Sequence, residues 1–290
     1  MATLRDIRRK IGSTKAIQKT TKALKMISEA RFIKAQKNIV SAKPYSQKIQ
    51  ELLFNLFKKR GGNIDIEHPF FDYGHQDKQG LLVITSEKGL CGSYNTNILR
   101  KMVEVVQSNK NKNFELFVLG KKGKDWLRKL SDSRITISHE YFDIFKSFSA
   151  VQSEIIADEI LKSFLKNNLY NFSIVYTEFK SLFIQNVVVK QLLPIEKSVI
   201  ETERDEFDYI YEPAKEKLID TLLHRYIKSE IYRILLSAYT SELAFRRNAM
   251  ENATQNAAEL IDGLILQLNK VRQQQITKEL TEIVSAAEVW

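Results

Sequence analysis

Cysteine, proline and long apolar runs are what this sequence has least of. Its 290 residues include one cysteine, Cys91, which excludes a disulfide framework within the chain and fits a reducing compartment. No run reaches the roughly 18 uncharged apolar residues that a membrane-spanning helix requires. Short stretches such as "LFIQNVVV" (182–189) come nearest, so any membrane association is expected to be peripheral. The four histidines, His68, His75, His139 and His224, are scattered, and with one cysteine they make no metal-ligating set. No pairing of Ser or Cys with His and Asp can be argued from position, so the sequence offers no catalytic apparatus.

Acidic residues are also scarce at one end. Residues 1–43 hold twelve Lys or Arg and only two acids, Asp6 and Glu29, which accounts for the whole net charge of +10. A basic, acid-poor, amphipathic start suits a presequence, a nucleic-acid arm, a membrane-surface helix or simply a solvated helix face.

What is there is mostly helix. Residues 3–43 contain no proline and only Gly12 as a weak point, and they read as one long helix. Leu4, Ile7 and Ile11, then Ile17, Leu24 and Ile27, form a narrow apolar stripe that "QKTT" (18–21) interrupts. Pro44 is expected to kink or interrupt the helix, because its ring removes an amide donor and crowds the preceding turn. Helical spacing then resumes through Ile49, Leu52, Leu53, Leu56 and Phe57. From Pro213 the chain runs to its end with no further proline and a single glycine, Gly263. Apolar residues recur there at Leu218, Leu222, Ile234, Ala238, Phe245, Ala249, Ala257, Leu260, Leu264, Leu268, Val271, Leu280 and Ile283. So long a helix with so narrow a seam needs a partner, and the first helix supplies one.

Between the helices the rhythm changes. "GLLVITS" (80–86), "FELFVLG" (114–120), "RITIS" (134–138), "FSIVYTEF" (172–179) and "LFIQNVVVKQLLPI" (182–195) are short β-branched or aromatic runs, most of them separated by helical stretches at 95–108, 121–130 and 149–167. Alternating strand and helix predicts a small parallel or mixed sheet covered by helices. The predicted fold class is α plus α/β: a long antiparallel coiled coil of N- and C-terminal helices with an inserted Rossmann-like α/β domain. Its divisions are a coiled-coil helix over 1–60, a linker loop over 61–79, the α/β domain over 80–200 and the C-terminal helix over 201–290. Because the first helix is shorter, the end of the second should project without a partner. That end, "RQQQITKELTEIVSAAEVW" (272–290), carries no Gly, Asn or Pro stop signal, and is expected to lie inside other protein.

Two motifs look chemical. "TSEKGLCGSYN" (85–95) follows a strand and precedes a helix, but it lacks the third glycine of a dinucleotide fingerprint and the spacing of a P-loop. "LGKKGKDW" (119–126) fails the same spacing. Both read as tight turns.

Four stretches carry a family resemblance: "DIRRKIGSTKAIQKTTKALKMISEARFIKAQ" (6–36), "LLVITSEKGLCGSYN" (81–95), "FDYIYEPAKEKLIDTLLHRYIKSEIY" (207–232) and "NATQNAAELIDGLILQLNKVRQQQITKELTEIVSAA" (252–287). Together they make the chain similar to the γ subunits of F-type ATP synthases, the central rotor stalks, of bacterial type. The resemblance implies a non-catalytic, cofactor-free shaft turning inside a ring of α and β subunits, with the ε subunit and the membrane c-ring at its base. It also implies a peripheral position on the cytoplasmic face of the membrane, and it argues against a cleaved presequence because the motif starts near residue 5. Lys19, Lys22 and Lys25 would face an acidic segment of the β subunits. Arg272, Gln273, Thr277 and Glu279 would exchange hydrogen bonds with β loops. Ile283, Val284, Ala286, Ala287 and Trp290 would form the tip inside an apolar sleeve, and Tyr209, Tyr211 and Glu212 would seat on the c-ring and ε subunit. The chain departs from the family in reading "GLCGSYN" for "GLCGGLN" and Leu24 for a frequent Met, and with Cys91 alone it cannot use the plastid cysteine switch.

Two other classes compete. A nucleic-acid-binding coiled coil would use the basic arm, although Phe32 is the only aromatic before Tyr45. An enzyme seated in the α/β domain would need a pocket with convergent polar groups.

Overall fold

The computed structural model describes residues 3–57, 68–72, 74, 77–130, 132–146, 148–196 and 215–287. Its elements are α1 (Leu4–Phe57), β1 (Lys78–Ile84), α2 (Tyr94–Ser108), β2 (Asn113–Leu119), α3 (Lys121–Leu127), β3 (Ile135–Tyr141), α4 (Ala150–Lys166), β4 (Phe172–Phe179), β5 (Gln185–Leu193) and α5 (Lys215–Ala287). Contacts divide the chain into two compact units. One joins the residues up to Ala30 to those from Arg246 onward, and the other comprises Arg31–Phe245.

The first unit is an antiparallel helix pair. At the start of α1, the Thr3 hydroxyl donates to Asp6 at 2.7 Å while the Asp6 amide donates back to Thr3 at 3.2 Å, a reciprocal cap on an otherwise open helix end. Up the pair, the hydroxyls of Thr21 and Thr254 meet at 2.8 Å, Lys25 pairs with Glu251, and Arg247 Nε lies 3.3 Å from Glu29. Each step up α1 is matched by a step down α5, which fixes the direction and the register. The seam on α1 repeats every seven residues, with Leu4, Ile11, Gln18 and Lys25 in one row and Ile7, Thr14, Thr21 and Ser28 in the other, all buried or half-buried. On α5 the matching rows are Arg247, Thr254, Ile261 and Leu268, then Met250, Ala257, Leu264 and Val271.

This corrects the expected stripe. Ile17 and Ile27 are 54% and 52% exposed, and Leu260 is exposed too, whereas Gln18 and Thr21, read as an interruption, lie in the seam. The seam accepts hydroxyls because they are satisfied at home: Thr14 donates to Lys10 O at 2.9 Å and Ser28 to Leu24 O at 2.8 Å.

In the second unit a five-stranded sheet has the order β3-β2-β1-β4-β5, with parallel pairing throughout except for antiparallel β5 at one edge. β4 spans the predicted residues; β1 begins at Lys78 rather than 80, and α3 stops at Leu127. Central β1 is buried on both faces, which is why it reads as a continuous apolar run. Leu81 and Val83 pack with Tyr94, Ile98 and Met102 of α2. Leu82 and Ile84 face the opposite layer, where Ile156, Ile160 and Phe164 of α4 join Leu223, Ile227, Ile231 and Leu235 of α5 and Ile49, Leu53 and Leu56 of α1.

Pro44 does not interrupt α1, which continues to Phe57. Its ring is on the exposed side, and Val40, whose carbonyl loses the missing amide partner, is also exposed, so the lost bond falls on the solvent side of the helix, where its cost is low.

Candidate functional site

In a doubly wound sheet, ligands bind beyond the strand C-termini where the order reverses, here at the ends of β1 and β4. That crevice is filled by the chain's own α5. The Tyr94 hydroxyl donates to Ala238 O at 3.2 Å, the Tyr94 ring meets Phe245 edge-on at 5.7 Å, and the Phe179 amide donates to Ser237 Oγ at 2.9 Å. The loop after β1 bonds inward as well. The Ser86 amide donates to Asn95 Oδ1 at 3.0 Å, and Asn95 Nδ2 donates to Ser86 Oγ at 2.8 Å and to buried Cys91 at 3.2 Å.

The glycines of the second motif serve packing. Thr85 Oγ1 donates to Leu119 O at 2.8 Å and accepts from the Gly123 amide at 2.9 Å. Gly120 has φ +95°, and a Cβ there would lie 2.3 Å from Thr85 O. Gly120→Ala is therefore expected to destabilise the sheet unit by at least about 2 kcal/mol, measured by urea unfolding. Both motifs are tight turns; His75 lies outside the described residues, and among the described residues no three His, Cys, Asp or Glu side chains are grouped so as to hold an ion.

The surface of the helix pair differs from a solvated coil. Past Val271 the seam ends: every side chain described from Arg272 to Ser285 is exposed. The register explains this, because stepping from the Thr21–Thr254 contact down α1 reaches its first residues just as α5 reaches Arg272. At about 100° per residue, Arg272, Ile276, Glu279, Leu280 and Ile283 share one stripe, with Gln273, Thr277 and Val284 beside it. Gln274, Gln275, Lys278, Thr281, Glu282 and Ser285 occupy the other side. The unpartnered helix is thus two-sided, and Leu280 and Ile283 stand 58% and 65% exposed. Such an apolar face on a bare helix marks a surface that another protein covers.

The structure brings the tip residues Ile283 and Val284 onto the same half of α5 as Arg272, Gln273, Thr277 and Glu279. Glu279 accepts from Gln275 at 3.1 Å, and Thr277 O accepts from Thr281 at 2.8 Å. Lys19 and Lys22 are exposed on α1, while Lys25 is half-buried against Glu251. Hydrogen bonding and the charge of Lys25 lower the Glu251 pKa. Ala286 and Ala287 belong to α5, and their side chains lie outside the described residues, as do Tyr209, Tyr211, Glu212 and Trp290. The sequence places Ile17 and Leu260 in the apolar stripe and gives Met26 and Leu266 no role, whereas all four are exposed apolars on the helix pair. Their signal was apolar side chains off the seven-residue rows.

A feature with no sequence signal ties the sheet to α5. Glu230, 3% exposed, holds Lys190 of β5 and also accepts from Arg233 at 2.7 and 3.0 Å. Burial opposes its ionisation, but the hydrogen bonds and charge of Arg233, joined by Lys190, outweigh burial and bring its pKa down to about 2.

Comparison with known proteins agrees with this architecture. The family model described as ATP synthase matches residues 3–289. The ATP synthase gamma chain of Elusimicrobium minutum (strain Pei191) is 38% identical over 299 residues, covering 99% of each chain. That of Anaeromyxobacter sp. (strain Fw109-5) is 37% identical over 290 residues, again covering 99% of each. Among solved structures, a chain of the Tetrahymena thermophila mitochondrial ATP synthase central stalk and c-ring matches with TM-score 0.59 and 25% identity, over 81% of this chain and 99% of that one. A chain of the Euglena gracilis mitochondrial ATP synthase shares the fold at TM-score 0.68 and 19% identity, over 99% of this chain and 94% of that one. An antiparallel helix pair and a small mixed sheet, with relatives matched end to end, place this chain in the ATP synthase gamma chain family.

Proposed function

We propose that the chain is the central stalk subunit of a bacterial F-type ATP synthase, turning within a ring of α and β subunits and coupling proton flow through the c-ring to ATP synthesis or hydrolysis at β sites. The observation that carries this reading is the lone, two-sided stretch of α5 beyond Val271, whose apolar face calls for a surrounding protein. A shaft acts by differential contact with partner conformations, so the chain itself carries no catalytic site and needs no cofactor. Lys19 and Lys22 meet the acidic β segment, assisted by Lys25. Arg272, Gln273, Thr277 and Glu279 exchange charge-assisted hydrogen bonds with β loops. The tip from Ile283 through Val284, Ala286 and Ala287 to Trp290 sits in the sleeve, and Tyr209, Tyr211 and Glu212 seat on the c-ring and ε subunit. No described helix is long and apolar enough to cross a membrane. The complex would hold the chain peripherally at the cytoplasmic face.

The basic arm gives the nucleic-acid reading little support, since part of its charge is spent within the pair, Lys25 on Glu251. A tagged copy expressed in its own cells should bring down α, β and ε subunits, and should restore ATP-driven proton pumping to membranes lacking their γ subunit. A chain that purifies alone and restores nothing would overturn the reading.

A further inference from the structure

The sheet unit carries a cleft that its own side chains leave open. It lies where α1, α4 and α5 meet, and its volume of about 690 Å³ falls within the range of small-molecule sites. Its α5 wall runs from Arg225 to Arg233, eight residues or about 12 Å along the helix.

Polar groups without bonds of their own converge on this cleft. Elsewhere on α1 the hydroxyls are satisfied by the helix itself: Thr14, Ser28 and Ser41 donate to the carbonyl four residues back at 2.9, 2.8 and 3.1 Å. Ser46 does not. It lines the cleft and is only 8% exposed, yet among the described residues its hydroxyl has no hydrogen-bond partner. Ser229 lines the cleft from α5 and is likewise without one. A hydroxyl buried as deeply as that of Ser46 is costly unless something entering the cleft bonds it.

The charges sort in the same way. Lys228 is held by Asp158 at 2.9 Å and Arg233 by Glu230 at 2.7 Å. Arg225 is exposed at one end of the wall and has no acidic partner among the described residues. The one acid in the lining, Glu154, is exposed and unpaired as well. Two rings complete the walls: Tyr45 of α1, 57% exposed, and Tyr232 of α5, which Phe148 holds in place by stacking at 5.3 Å and 7°.

We infer that this cleft binds a small phosphate ester bearing a planar, amino-substituted ring, the chemical class of the mononucleotides. Arg225 takes the phosphate, because its guanidinium fork matches the phosphate oxygens. Tyr45 and Tyr232 offer faces on which a planar ring stacks. Ser46 and Ser229 bond the hydroxyls between ring and phosphate. Glu154, an unpaired acid beside an anion, accepts from the amino group of the ring. The inference does not rest on the shaft reading, since every residue it uses lies in the sheet unit of the isolated chain.

Calorimetric titration of the full-length chain, free of other subunits, with AMP tests it. One AMP is expected to bind per chain, saturably, with adenosine and ribose 5-phosphate each at least tenfold weaker. Arg225→Gln should weaken AMP about tenfold and Tyr45→Ala about fivefold. Both residues are exposed, so the variants should melt as the wild type does. Inosine monophosphate, which lacks the amino group, should bind about fivefold more weakly than AMP, and Glu154→Ala should abolish that difference. Absence of saturable AMP binding at millimolar concentration would overturn the site. So would binding that both Arg225→Gln and Tyr45→Ala leave unchanged, because AMP would then sit elsewhere, or ribose 5-phosphate binding as tightly as AMP, because the ring would then go unread.

Discussion

Glu230→Ala is expected to lower the stability of the sheet unit by about 2–3 kcal/mol, because it removes the buried carboxylate shared by Lys190 and Arg233, whose own side chains are each a little over one-third exposed and keep part of their solvation. The same residue predicts a pH dependence of known sign. Its folded pKa is lowered from 4.5 to about 2, so its contribution is fully present above pH 4.5 and is lost as pH falls through the interval toward 2. A shift of that size corresponds to about 3 kcal/mol. Urea unfolding between pH 6 and pH 3 should show the wild type losing stability more steeply than Glu230→Gln, which has no proton to take up. Parallel slopes for the two proteins would show that the carboxylate is not held as the geometry implies. Lys190 stands on β5 while Glu230 and Arg233 stand on α5, so the clamp fixes sheet to helix. In a stalk subunit, that junction is one through which torque applied at the sheet reaches the helix.

The clamp is also what the sequence concealed. Lys190 and Glu230 are 40 residues apart, and each looks like any surface charge until the sheet brings β5 beside α5. Patterns confined to one element were legible. The strands β1, β2 and β4 announce themselves by apolar runs, and α5 by its long freedom from proline. The antiparallel pairing of the two terminal helices followed from their lengths and stripes. The register did not, because it depends on Thr14, Thr21 and Ser28, whose hydroxyls look solvent-seeking but are satisfied by the helix's own carbonyls or by Thr254. Apolar Ile17 and Ile27 then took the seam in the sequence reading and are exposed in the structure. A hydrophobic scale misplaces such positions in both directions: a small satisfied hydroxyl costs little inside a close-packed pair, and an isoleucine outside it is tolerable when a second protein covers the face. Pro44 is a similar case, since a rule about isolated helices assumes that the lost bond has no substitute, and here the freed carbonyl lies at an exposed residue.

Exposed isoleucines lead to the second large effect. Replacing Ile276, Leu280 and Ile283 together by serine should leave the folding of the isolated chain within about 0.5 kcal/mol of wild type, because all three side chains are exposed and support no core. Assembly should suffer instead. If a surrounding ring buries the stripe, removing three large apolar side chains forfeits roughly 1 kcal/mol or more apiece, so affinity for α and β subunits should fall by at least about a hundredfold. Titrating tagged chain against purified α and β subunits, with circular dichroism melts run alongside, separates the two outcomes. Serine substitution at Gln274, Lys278 and Glu282, on the opposite side of the same helix, provides the matched control and should cost less than tenfold. Equal losses from both faces would mean that the end of α5 is gripped without regard to its two-sidedness. An unchanged affinity in the apolar triple variant would mean that the stripe is covered by something other than the ring.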